Sequence, residues 1–112
     1  MASVDEAARQ AARLFLDRIA TRYPIVAARL YGSRARGDYD RHSDADLAVI
    51  IKGPRGDAMA TGVEMAGVAF DVLLETEVLV SPMPVWEDEW EYPDLSDNPR
   101  LMENIRREGV SL

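Results

Sequence analysis

The sequence predicts an α/β (α+β) fold: a mixed sheet of about four strands flanked by helices. Three observations carry that reading. An amphipathic helical pattern opens the chain, two short apolar runs follow at strand length, and a capped helix lies near residue 100. With 112 residues, 47% of them apolar, the chain has material for one core, so residues 1–112 read as a single domain.

Ser3 and Glu6 form a capping box, and Val4, Ala8, Ala11, Phe15 and Ile19 fall on one helical stripe, which predicts a helix over about 4–21. Pro24 separates it from a strand at 25–31. Gly32–Ser33 breaks that strand and opens a helical turn over 34–36, closed by Gly37. The polar loop "DYDRHS" leads to a second strand, 44–51. The start of 58–75 reads as a short helix. Residues 67–75 read as a third strand, since Val68, Phe70, Val72 and Leu74 alternate. "VLVSPMPV" supplies a fourth strand, at an edge because its prolines cannot donate to a ladder on both sides. Asn98 as N-cap, Pro99 at the first position and Gly109 beyond the end define a last helix.

Composition narrows the function. The chain has no cysteine, which excludes disulfides and thiolate chemistry. No apolar run reaches membrane-span length and no signal peptide is evident, so a cytoplasmic protein without membrane contact is expected. The net charge of −7 argues against direct nucleic-acid binding. Its distribution is uneven: residues 1–55 carry ten basic and seven acidic side chains, residues 56–112 three and thirteen.

The chemistry concentrates in "GSRARGDYDRHSDADLAVII", residues 32–51. Asp44 and Asp46 project from one strand face, roughly 6.5–7 Å apart. That spacing lets two carboxylates converge on a pair of divalent cations, and all-oxygen ligation suits magnesium or manganese. Asp71 interrupts an apolar run and becomes a third metal-binding, catalytic candidate if its strand lies beside the second. Gly32 and Ser33 end a strand and open a helical turn, a combination whose amide groups bind phosphate. Arg34 or Arg36 can add charge-assisted hydrogen bonds to the same nucleotide phosphates. His42 reads as a solvated loop histidine. "VWEDEWEYPDL" holds both tryptophans among acids, and reads either as a cap on the sheet or as a surface that anchors a partner.

Gly32–Ser33, ten residues, then Asp44-Ala45-Asp46 resembles the signature of the DNA polymerase beta superfamily of nucleotidyltransferases. With "GSRARGD" in so short a chain, it is most similar to the minimal nucleotidyltransferases (MNT), commonly antitoxins paired with HEPN-domain ribonuclease toxins. The resemblance is strong over about residues 14–75, and "NPRLMENIRREGV" looks like the family's usual ending. It implies transfer of a nucleoside monophosphate, AMP from ATP being favoured, to a hydroxyl, with release of pyrophosphate. Gly32 and Ser33 would hold the triphosphate, Asp44 and Asp46 two Mg2+ ions, and Asp71 one ion and the acceptor hydroxyl. A tyrosine on a HEPN partner is the expected acceptor. A non-catalytic antitoxin and a transferase acting on a small hydroxylated molecule are the alternatives.

Overall fold

The computed structural model describes residues 5–38 and 43–112. Ser3, in the expected capping box, and His42 lie outside the described residues. Helix α1 runs from Glu6 to Ile19, and its N-cap is Asp5, whose carboxylate accepts from the Ala7 amide at 3.2 Å. Strand β1 (Ile25–Tyr31) follows, then the four-residue helix α2 (Ser33–Arg36), then strand β2 (Ala45–Ile51).

Residues 58–76 form one helix, α3 (Ala58–Thr76), and this corrects the strand expected over 67–75. The Asp57 carboxylate starts it by accepting from the Ala60 amide at 3.0 Å. Nothing after that breaks it until Glu77, which ends the helix in the left-handed region at φ 62°. Thr61, Met65, Val68 and Val72 form its buried side at helical spacing. The helix is also what the topology needs. Strand β3 (Val80–Trp86) runs parallel to β2, and parallel neighbours require a long crossover, usually helical.

The sheet has four strands in the order β3-β2-β1-β4, with β1 antiparallel to both neighbours. Pro82 and Pro84 lie in β3, an edge strand as their missing donors demand. The fourth member is the two-residue β4 (Val110–Ser111), beside Arg29 and Leu30. Helix α4 (Glu87–Glu91) and a 3-10 turn (Pro93–Leu95) lead into α5 (Pro99–Glu108). Asn98 caps α5 by accepting from the Leu101 amide at 3.2 Å, as the sequence predicts.

Each sheet face has its own core. On one, Ala8, Phe15 and Ile19 of α1 and Met65, Val68 and Val72 of α3 pack on Leu30, Leu47, Val49 and Ile51. Burial of a large side chain such as Phe15 contributes roughly 1.5–3 kcal/mol. On the other, Met102 and Ile105 of α5 pack on Ala48, Ile50 and Val85. Asp46 alternates with Leu47 and so belongs to the α5 face.

Candidate active site

Three strands build the floor. Tyr31 of β1 lies opposite Asp46 of β2, and Ser81 of β3 lies opposite Asp46 on the other side. Directly paired residues share a face, so Tyr31, Asp46 and Ser81 form one row beneath the open end of α5. Asp44 precedes β2 by one residue, is exposed, and shares the alternation of Asp46.

The strand-to-helix turn forms the rim. Gly32 holds φ 76° and ψ −160°, which an L residue adopts only with strain, and it sits against the Asp46 side chain. Gly37 closes α2 at φ 87°, its amide donating to the Ser33 carbonyl at 2.9 Å. The Ser33 hydroxyl makes no hydrogen bond among the described residues. Arg36 is exposed, donates to Asp38 at 3.3 Å and lies 3.9 Å from Glu108 of α5. Tyr31, Gly32, Arg36, Leu101, Asn104, Ile105 and Glu108 line a cleft of about 160 Å3 beside this turn.

The electrostatics follow the geometry. Burial raises the pKa of Asp46, the neighbouring charge of Asp44 raises it further, and Arg36 opposes both. Tyr31 is pushed up to about 12, chiefly by burial and then by the charge of Asp46. A cation bound beside Asp46 would favour its ionised form. Among the described residues, no group of three or more acidic, histidine or cysteine side chains converges on a metal-binding point. The donor set nevertheless fits magnesium, which takes one or two carboxylates and completes its shell with phosphate and water.

Residues 12–106 match the family described as "Nucleotidyltransferase domain". The chain belongs to that family. Its fold is similar to the crystal structure of a Sulfolobus solfataricus protein described provisionally as a nucleotidyltransferase. That likeness has a TM-score of 0.52 and 18% identity, over 99% of this chain and 89% of the other. A comparison with curated proteins finds no match. As a nucleotidyltransferase domain the chain is a transferase of nucleoside monophosphates, with a nucleoside triphosphate as donor.

Within the nucleotidyltransferase fold, Gly32, Ser33, Arg36, Asp44 and Asp46 come together at one end of β2. Two expected members do not join them. Asp71 is on α3, whose buried side packs on the other sheet face; it is exposed, beside Asp17 and Arg18 of α1. The expectation failed because it rested on a strand that does not form. Arg34 turns inward: 6% exposed, it pairs with the equally buried Asp5, and its Nε donates to the Ser43 carbonyl at 2.9 Å. It ties the start of α1 to α2 and to the approach of β2, and its guanidinium is committed there.

The tryptophans also resolve. Trp86 is buried in the core under α3, and Trp90 is half-buried with Arg106 and Arg29 stacked 4.2 and 5.3 Å from its ring. Both pack as parts of the cap over the sheet, Trp90 held by the two stacked guanidinium groups. Sequence reasoning missed Tyr31, Asn104 and Glu108. The antiparallel register of β1 and β2 would have placed Tyr31. The two α5 residues leave no local signal.

Proposed function

We propose that this domain transfers AMP from ATP to a protein hydroxyl, and that the acceptor is a tyrosine of a HEPN-domain ribonuclease toxin which the modification silences. The domain then acts as the antitoxin of an MNT/HEPN pair in the cytoplasm. The observation that carries the catalytic reading is the convergence of Asp44 and Asp46 on the rim made by Gly32 and Ser33. The antitoxin role and the HEPN partner rest on the resemblance of "GSRARGD" to the motif of minimal nucleotidyltransferases.

In this reading the Gly32–Ser33 turn receives the triphosphate, with the Ser33 hydroxyl donating one hydrogen bond and Arg36 adding charge. Asp44 and Asp46 hold Mg2+ (two ions, with Mn2+ able to substitute), and the metal supplies charge neutralisation for the phosphates. The acceptor oxygen forms a bond to the α-phosphorus as the bond from that phosphorus to its bridging oxygen breaks. Pyrophosphate departs and the hydroxyl proton passes to solvent. Asp71 has no part in this, and of the three carboxylates expected from the sequence two remain on this face.

That count also supports the second reading, an antitoxin that neutralises its partner by binding alone. One experiment separates them: incubation with ATP, magnesium and the product of the neighbouring gene as the candidate HEPN partner, followed by intact mass measurement. A gain of one or more AMP units on the partner is the expected result. An unmodified partner that is nonetheless inhibited would establish the binding reading, and AMP on an added aminoglycoside-like polyol instead would establish a small-molecule acceptor.

A further inference from the structure

Helix α3 is apolar on two opposite sides. Its inner side is buried on the sheet. Its outer side carries Met59, Val63, Phe70 and Leu74, exposed by 80, 69, 56 and 68%. Their spacing places them on one stripe, with exposed Ala66 and Gly67 at its middle. The acids of α3 lie off this stripe, toward α1. Glu64 there accepts from Arg22 and Tyr23, and Glu75 pairs with Arg18. A helix apolar on both sides is ordinarily covered on both, and a contiguous exposed patch of this kind marks an interaction site.

The stripe is its own complement. Read from either end it runs large, large, small, large, large. A copy laid antiparallel, with the two-fold axis between Ala66 and Gly67, sets Met59 against Leu74 of the second copy and Val63 against its Phe70. The small central pair lets the two backbones approach. The four large side chains expose on the order of 500 Å2 per chain, so pairing them removes about 1,000 Å2, the size at which a specific interface begins. Because the stripe is uncharged, two copies each of net charge −7 meet there without opposing carboxylates. We infer that α3 is an isologous homodimer interface, built by its outer stripe and separate from the Asp44–Asp46 face.

Sedimentation equilibrium at about 0.1 mM, a concentration that populates any dimer of micromolar affinity, tests this directly. The wild-type chain should weigh twice its 12.5 kDa, and Val63→Glu or Phe70→Glu should weigh 12.5 kDa with an unchanged circular dichroism spectrum. The geometry has its own check, because the chain is free of cysteine. Ala66→Cys, at the axis, should form a disulfide-linked dimer under mild oxidation. Met59→Cys alone should not, since the two copies of residue 59 would stand about 22 Å apart along the helices. A wild-type monomer overturns the proposal, and so does a dimer in which Met59→Cys cross-links as readily as Ala66→Cys.

Discussion

The carboxylate of Asp46 rests on the α-carbon of Gly32: a Cβ built on that glycine would stand 2.5 Å from Asp46 Oδ2. The strand-to-helix turn and the acidic floor are therefore one packed unit. Gly32→Ala should displace Asp46 and force a strained backbone at φ 76°, costing about 1–3 kcal/mol of stability. Nucleotidyl transfer should be lost with it. Urea denaturation and a pyrophosphate-release assay measure the two effects, and an active Gly32→Ala would show that Asp46 is free to move.

Asp46→Asn should abolish transfer without harming the fold. The raised pKa means that the folded state prefers this group protonated, so its ionisation lowers stability as the pH climbs past the ordinary carboxylate range. At pH 7 without metal the Asn variant should therefore melt at or slightly above the wild-type temperature. Magnesium should raise the wild-type melting temperature and raise that of Asp44→Asn or Asp46→Asn much less. Asp71→Asn should respond to magnesium like the wild type.

Arg34→Ala should be among the most damaging substitutions away from the catalytic face. It leaves the Asp5 carboxylate buried without its partner, and breaking a buried pair in this way costs about 3–5 kcal/mol. It also removes the hydrogen bond to the Ser43 carbonyl. A double-mutant cycle with Asp5→Ala, read by chemical denaturation, should give a large coupling energy, and additive losses would contradict the clamp.

The Tyr23 hydroxyl donates to Glu64 Oε2 at 2.8 Å, and Arg22 donates to the other oxygen at 3.1 Å, joining the end of α1 to α3. The Tyr23 bond, then Arg22, holds the Glu64 pKa below its ordinary 4.5, so the linkage is fully present above pH 4.5 and is lost as the pH falls through the lower folded value. Tyr23 is raised above its ordinary 10.0, first by the same bond, so its contribution is intact below pH 10 and fades as the pH rises through the higher folded value. Tyr23→Phe should flatten both limbs of the melting temperature against pH. Limbs unchanged from wild type would place the pH dependence elsewhere.

Much of this architecture was legible where the signals are local. Capping at Asn98 and the glycines around α2 each act over a few residues, and α5 and the strand-to-helix turn stand where they predict. Residues 67–75 misled for a physical reason. Val68 and Val72 face the core while Phe70 and Leu74 face outward, so a helix apolar on both sides imitates the alternation of a strand. That one misreading carried Asp71 into the site. The inward turn of Arg34 depends on Asp5, twenty-nine residues away, and no local pattern announces such a pairing.

Strand β1 takes β2 on one side and the late β4 on the other, and the Leu112 amide also donates to the Ala28 carbonyl at 3.1 Å. This imposes an order of assembly during synthesis. Residues 5–51 can bring α1, β1 and β2 together while the ribosome is still making the rest. The wall of the cleft, Asn104 and Glu108, cannot be set until the segment that ends in β4 has emerged and closed a loop of about eighty residues onto β1. A nascent chain would therefore carry its acidic pair exposed and unwalled for several seconds, and competence for transfer would be the last property acquired.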